Sequence, residues 1–190
     1  ICTSNSALQP KGTRHTKPQL SLRHSQAAGI MAKGYRSPAA QLSAMKRNWP
    51  AFEGSKRANG LLIWTGMLQP KAQSYVVRIL WHPKVMALPY AFVLEPKLKP
   101  RKGGTFEEIP HLIFDGDEPE FSALCLFDPD GNEWSPSDLI AETTLPWVSE
   151  WLVYYELWHL FGEWLGPGIG FESIADMRLA EVRKLRSEAE

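Results

Sequence analysis

The sequence predicts an α+β fold in which one helix precedes a four-stranded antiparallel meander and further helices follow it. Short β-rich runs occupy the middle of the chain, turns that contain proline separate them, and helix-start signals lie on both sides. The 190 residues are 44% hydrophobic and 22% charged, which is typical of a globular chain with a core of ordinary size.

The first helix is predicted from Ser37 to Trp49. Serine is a favoured N-cap residue, and Pro38 suits the first helical position because that backbone nitrogen needs no acceptor. Pro50 is incompatible with further helix and sets the end.

The strands of the meander are predicted from β-branched and aromatic runs. Three of them are Leu61–Leu68, Tyr75–Trp81 and Tyr90–Leu94, each followed by a turn with proline. A fourth short strand is predicted at Ile109–Phe114.

A second helical region is predicted to start at Ser135, with Pro136 at its first position and Asp138 as a variant capping-box acid. Pro146 is expected to end or kink that helix. Large apolar residues then recur at steps of three and four: Trp147, Trp151, Tyr154, Trp158, Phe161 and Leu165. This spacing predicts one helical stripe turned towards the core, in preference to a cofactor or base-stacking surface.

The predicted domain occupies residues 35–170. Residues 1–34 are polar and basic and lack apolar periodicity, so we expect a disordered tail, with Met31 as a candidate natural start. A basic arm that binds nucleic acid is the alternative for the same residues. Residues 171–190 are predicted to form a C-terminal surface helix.

Charge is distributed unevenly, although the formal net charge is zero. Residues 1–57 carry ten basic residues against one acid, whereas sixteen acids and no basic residue lie between Lys102 and Arg178. We therefore expect an acidic surface that repels nucleic acid and attracts a basic partner.

Several classes of protein are excluded or disfavoured. No run of about 18 apolar residues is present, so no membrane span is predicted. Cys2 and Cys125 are too few for a disulfide framework or a four-ligand zinc site, and a reducing cytoplasm is the expected compartment. Phosphate-binding, dinucleotide and metal motifs are missing from the sequence, so neither a cofactor nor a metal is expected.

Cys125 and His111 are the candidate catalytic residues, because the other four histidines have no spaced partner. The apolar neighbours Leu124 and Leu126 are typical of a buried structural cysteine. Acidic residues on both sides instead predict a sulfur atom close to solvent: Asp115, Asp117, Glu118, Glu120, Asp128 and Asp130.

Five motifs follow one another in this chain: Pro110-His111, Leu124-Cys125-Leu126, Trp134-Ser135, Trp151 to Trp158, and Gly162 to Gly166. Together with Trp64, Gly66 and Pro70 they resemble the ubiquitin-conjugating enzyme fold over about residues 37–168. The resemblance is closest to the small bacterial E2-like proteins that accompany CBASS anti-phage operons.

The resemblance implies a ubiquitin-conjugating (UBC-like) fold with Cys125 as the active-site cysteine. It implies trans-thioesterification, in which Cys125 holds the C-terminal carboxyl of a protein as a thioester and passes it to an amine or hydroxyl. The implied partner, and the protein that is loaded, is a cGAS-like nucleotidyltransferase (CD-NTase).

One departure from the eukaryotic family concerns its His-Pro-Asn tripeptide. Here the order is Pro110-His111, no asparagine follows, and Cys125 comes 14 residues after the histidine, beyond an acidic insertion. Two roles stay open for His111, which either stabilises the oxyanion or holds the cysteine loop structurally.

Two other classes of function also stay open. A cysteine hydrolase would pair Cys125 with His111 as a base, although the sequence offers no clear third member. A non-catalytic UBC-like docking module would bind and regulate the nucleotidyltransferase and would tolerate Cys125→Ala.

The predicted tail leads to a first testable prediction. A chain that begins at Met31 should keep the melting temperature of the full chain, because residues 1–30 offer little apolar surface to bury. Thermal unfolding of the two chains measures this. A loss of several degrees would show that the segment packs on the domain.

Overall fold

The computed structural model describes residues 34–86, 88–127, 133–166 and 175–189, and the chain from Gly34 onward forms one compact unit. The predicted basic tail therefore lies outside the described residues except for Gly34. The elements in chain order are α1 (Pro38–Asn48), β1 (Glu53–Lys56), β2 (Leu62–Leu68), β3 (Tyr75–Trp81), β4 (Tyr90–Glu95), β5 (Leu112–Ile113), β6 (Ala123–Leu124), α2 (Thr144–Phe161) and α3 (Ala175–Ala189).

The central sheet is a four-stranded antiparallel meander in the order β1-β2-β3-β4, as the sequence predicted. One strand of this sheet was predicted wrongly. The first strand of the sheet is the polar segment Glu53–Lys56, which is exposed throughout and pairs with β2 from Glu53↔Thr65 to Lys56↔Leu62. Backbone hydrogen bonds, rather than burial of apolar side chains, hold this edge strand, so the sequence carries no β signal there.

The segment Ile109–Phe114 does not join the meander. Only Leu112–Ile113 is extended, and it pairs with Ala123–Leu124 in a separate two-stranded hairpin. The acidic insertion is therefore the loop of this hairpin.

Helix α1 agrees with its predicted start and end. Ser37 caps it, since the Ser37 Oγ accepts a hydrogen bond from the Ala40 N–H at 3.1 Å. The fully buried Gln41 donates from Nε2 to the Asp138 carbonyl at 2.8 Å and accepts from the Ile140 N–H at 3.0 Å. A buried polar side chain with both ends bonded thus joins α1 to the segment before α2.

The helix start predicted at Ser135 is wrong. The Asp138 carboxylate accepts hydrogen bonds from the Ser135 N–H at 2.7 Å and from the Ser135 Oγ at 3.0 Å, and the four residues form a turn. Side-chain hydrogen bonds of this kind form in turns as well as at helix caps, so Ser135 and Asp138 do not by themselves distinguish a turn from a helix start. Helix α2 begins later, at Thr144, so Pro146 lies in its first turn instead of ending a helix.

The predicted aromatic stripe is buried at two of its six positions, Trp151 and Trp158, while Trp147 and Tyr154 are half-buried. Trp151 and Trp158 are buried, with Leu145, Val148 and Tyr155, in the same core cluster as the sheet residues. The end of the stripe was predicted wrongly, because Phe161 and Leu165 are 66% and 51% exposed. Phe161 is the last helical residue and Leu165 lies beyond the helix, where helical spacing no longer determines the buried face.

Helix α3 is more than a surface helix. Val182, Leu185 and Ala189 are buried at spacings of three and four, so one of its faces belongs to the core. The high charge of the segment led the sequence analysis to place it on the surface. None of the helices in the described part of the chain is long and apolar enough to cross a membrane.

Candidate functional site

The hairpin of β5 and β6 brings the two candidate residues together. Its ladder pairs Leu112 with Leu124 and Ile113 with Ala123. Continued by one position, the same register sets His111 opposite Cys125, and the Cys125 N–H donates to the His111 carbonyl at 2.9 Å. His111 and Cys125 are 14 residues apart in the sequence, but their backbones are hydrogen-bonded to each other in the fold.

Cys125 carries a thiol, and the residue is half-buried. The preceding Leu124 is buried, and the following Leu126 and Phe127 pack against the core while staying partly exposed. Phe127 contacts Trp147 of α2, with their ring centroids 5.4 Å apart. Cys125 therefore packs against the edge of the core while the residue stays partly exposed.

The backbone of His111 adopts a left-handed conformation, with φ of 56°. For a residue with a Cβ this conformation costs about 1–2 kcal/mol, so neighbouring contacts must maintain it. Its carbonyl accepts two hydrogen bonds, one from the Cys125 N–H at 2.9 Å and one from the Trp151 Nε1–H at 3.1 Å. Strand β6 and helix α2 thus hold the same peptide group.

The imidazole of His111 packs against Trp164, with the ring centroids 5.2 Å apart and the planes at 37°. Burial lowers the pKa of His111 below its ordinary value, because a half-buried imidazolium loses hydration. Trp164 also contacts Trp151 and Tyr154, at centroid distances of 5.4 and 5.9 Å. Trp164 lies in the motif from Gly162 to Gly166, but it was not predicted to be a site residue.

The acidic insertion is bound by arginines of α3. The buried Asp115 carboxylate accepts from the backbone N–H groups of Asp117 and Glu118 at 3.1 and 3.2 Å, and from the Arg183 Nε at 2.9 Å. Arg183 also pairs with Asp117 at 2.7 Å, and Arg186 forms an ion pair with Glu118. Three of the acids that precede the cysteine are therefore neutralised within the chain.

This pairing corrects the expectation of an open acidic surface for Asp115, Asp117 and Glu118, whereas Glu120 is exposed and the acids at 128 and 130 lie outside the described residues. Lys97 and Arg186 add positive charge over the same loop, since Lys97 Nζ and the Arg186 guanidinium carbon lie 3.8 and 4.6 Å from the Phe121 ring centroid. The pairing of Arg183 and Arg186 with the insertion was not predicted, because they lie more than 60 residues from it in the sequence. Their signal was the return of basic residues at Arg178, after the long acidic stretch.

The other described histidines have structural partners. Buried His82 bonds through Nε2 to the Asn59 carbonyl at 2.8 Å, and its Nδ1 accepts from the Lys84 N–H. Exposed His159 bonds to the Lys99 carbonyl at 3.1 Å near the end of α2. Within the described ranges, no three His, Cys, Asp or Glu side chains converge as metal ligands.

The structure is thus that of a mixed α/β protein in which Cys125 lies at the base of a short β-hairpin, opposite His111 in the backbone register. The family model of the type II CBASS E2 proteins matches residues 41–171, and the chain belongs to this family. The predicted resemblance to the E2-like proteins of CBASS is confirmed, and family membership supports a role in CBASS defence. Comparison with curated proteins gives no match.

The binding of Asp115 by Arg183 leads to a prediction on stability and pH. Hydrogen bonds from Arg183 lower the pKa of Asp115 and outweigh burial, which acts in the opposite direction. A carboxylate with a lowered pKa stabilises the fold above the unfolded value of about 3.9, and this contribution is lost as the pH falls through the folded pKa. Asp115→Asn should therefore destabilise the protein at pH 7, by about 1.5–3 kcal/mol.

Urea unfolding of the wild type and Asp115→Asn at pH 7, 5, 4 and 3 measures this difference. The gap should be largest at neutral pH, should start to narrow at about pH 4, and should close only as the pH falls through the lowered pKa of Asp115 in the folded protein. Glu120→Gln, in the same loop, is the matched control, because Glu120 is exposed and forms no ion pair within the described residues. A gap that stays constant down to pH 3 would contradict the assignment.

Proposed function

We propose that this CBASS E2 protein is an acyl-transfer enzyme that holds the C terminus of a protein as a thioester on Cys125. The observation that carries the proposal is the position of Cys125, a half-buried residue directly after the ladder of the short hairpin, in a chain of the E2 family. A partly exposed cysteine can meet a large protein donor, whereas a fully buried structural cysteine cannot.

The proposed reaction has two steps. The thiolate of Cys125 attacks the carbonyl carbon of a donor thioester, the new carbon–sulfur bond forms, and the donor leaves as a thiolate. An acceptor amine then attacks the Cys125 thioester, loses a proton, and expels the Cys125 thiolate with an amide product. Each step passes through a tetrahedral intermediate with a negative oxygen, so a hydrogen-bond donor near the sulfur accelerates both.

We assign the role of this donor to the His111 ring. His111 faces Cys125 across the hairpin, and its left-handed backbone is held by bonds from Cys125 and Trp151. Backbone strain that is maintained by its surroundings occurs often at functional sites, which supports a role beyond packing. A lowered pKa keeps the imidazole neutral at pH 7, with one N–H available to donate.

The proposed partner is a CD-NTase, whose C terminus would be the group that Cys125 carries. Support for this comes from membership of a CBASS family and from the resemblance described above. The internal pairing of Asp115, Asp117 and Glu118 argues that the acidic insertion is not a general docking surface for basic proteins.

A docking module without catalysis is the second candidate function. Cys125 is only partly exposed, and it belongs to a segment that packs against the core. Both features would also suit a structural cysteine. Hydrolysis is less well supported, because no carboxylate hydrogen-bonds to the His111 ring within the described residues.

Covalent loading is the central prediction. When the chain is incubated with the CD-NTase of its operon whose C-terminal carboxyl has been converted to a small-molecule thioester, the small thiol should leave and an adduct should form that is cleaved by excess thiol, as expected of a thioester. Cys125→Ala should abolish the adduct and leave non-covalent binding in place. Non-reducing gels and intact mass spectrometry measure the adduct, and size-exclusion chromatography measures binding.

Two variants sharpen this experiment. Cys125→Ser should form an oxyester that resists thiol, because oxygen esters exchange poorly with thiolates. Cys2→Ala is the matched control and should keep full loading, since it removes the other cysteine of the chain. If Cys125→Ala retains phage defence and the partner complex, the docking module is the correct function.

The role of His111 gives a further prediction. His111→Ala should fold but slow adduct formation by about 10²-fold, the effect of one lost oxyanion donor. His111→Asn should recover part of the rate, because asparagine tolerates the left-handed conformation and carries an amide donor. Rates that are equal in all three proteins would show that the histidine acts only as a structural residue.

A further inference from the structure

The chain reverses direction at the end of α2 and brings Trp164 back onto the site. Gly162 follows the last helical residue with φ of 83°, a left-handed conformation that ends the helix. The Arg101 guanidinium lies nearby, with Nη1 at 2.5 Å from the position of a Cβ on Gly162, but it is the end of a flexible side chain that can move. Glycine suits this reversal because of its backbone conformation.

A second glycine fixes the position of the Trp164 indole. A Cβ on Gly166 would lie 2.5 Å from the Tyr154 ring and 2.8 Å from the Trp164 Nε1. The segment from Gly162 to Gly166 therefore packs closely on the outer side of α2, and the indole lies between Tyr154, Trp151 and the His111 imidazole.

We propose that Trp164 is a positioning residue that holds the His111 imidazole in one orientation and shields it from water. This inference rests on the proposed function, in which the His111 ring donates a hydrogen bond to the reacting oxygen. Trp164 is assigned no contact with the substrate and acts only through His111.

The contacts of the two residues support this division of roles. The backbone of His111 is fixed by Cys125 and Trp151, but those bonds leave rotation of its side chain free. The ring contact with Trp164, at 5.2 Å, restricts that rotation. A donor that is free to rotate would be aligned for only part of the time, so restricting it increases the rate of transfer.

The shape of the indole, rather than its N–H group, performs this role. The buried Trp164 Nε1 has no hydrogen-bond partner within the described residues. A residue selected for hydrogen bonding would have an acceptor there. Phenylalanine should therefore substitute for Trp164 far better than alanine does.

The test that needs no activity is the titration of His111 by NMR. In the wild type the His111 ring signal should titrate below pH 6.5, because burial lowers its pKa. Trp164→Ala should raise that pKa towards 6.5, since water gains access to the ring, whereas Trp164→Phe should leave it low. The signal is assigned by its absence from the spectrum of His111→Asn.

Gly166→Ala provides an independent variant that keeps the indole but displaces it, because the added methyl group would overlap Tyr154 and Trp164. It should raise the His111 pKa in the same direction as Trp164→Ala. Leu165→Ala is the matched control: Leu165 is the neighbouring large apolar residue, it is 51% exposed, and its removal should not move the titration. Thermal unfolding verifies that every variant is folded.

A double-mutant cycle connects the titration to the reaction. Trp164→Ala should slow adduct formation by up to about 10²-fold in the wild type, the value for loss of one oxyanion donor. It should have no further effect in His111→Ala, because a residue that acts only through the imidazole has nothing left to position. A merely structural role would slow both backgrounds equally.

The outcomes separate the two proposals. An unchanged His111 pKa in folded Trp164→Ala and Gly166→Ala, or additive rate losses in the cycle, would overturn the positioning role. Adduct formation that survives Cys125→Ala would overturn the proposed function, while the titration would still decide whether Trp164 controls the environment of His111.

Discussion

The arrangement of the site depends on one peptide group, the carbonyl of His111. It accepts the Cys125 N–H from the opposite side of the hairpin and the Trp151 Nε1–H from helix α2. The two bonds join elements that lie far apart in the sequence, and both are satisfied only while His111 keeps its left-handed backbone. Cys125 is thereby fixed relative to the long helix, whose buried face belongs to the same core as the sheet. A change in the packing of α2 would therefore reach the cysteine through His111, as well as through the contact of Phe127 with Trp147.

Helix α3 controls the other end of the same hairpin. Arg183 and Arg186 bind the acids of the insertion, and the buried Asp115 is the centre of this network. A buried carboxylate without these partners would be costly, so the loop and the helix stabilise each other's position. Local charge in the sequence indicated an open acidic surface, but the neutralising charges come from the far end of the chain. Pairing over such a distance depends on tertiary structure and cannot be predicted from composition.

Sequence patterns predicted the elements that have clear composition and boundary signals. The strands β2, β3 and β4 lie where β-branched and aromatic runs between proline turns placed them, and α1 lies where Ser37, Pro38 and Pro50 placed it. The patterns failed where backbone bonds alone hold an element, as in the polar edge strand Glu53–Lys56. They also failed at Ser135 and Pro146, since capping residues suit turns as well as helices and proline is acceptable in a first helical turn. The UBC-like resemblance followed from the order of the elements and supplied none of these local details.

For the candidate site, the sequence identified Cys125 and His111 but not the geometry that relates them. The hairpin ladder shows why 14 residues can separate two facing positions: the register from Ile113↔Ala123 outwards is fixed, and the intervening residues form a loop. The length of that loop can vary without moving Cys125 relative to His111, provided that the ladder at its base is kept. The position of Trp164, in contrast, is sensitive to the length of its segment, because it depends on the exact chain reversal between Gly162 and Gly166. An insertion in the acidic loop should therefore be tolerated far better than one residue added between these two glycines.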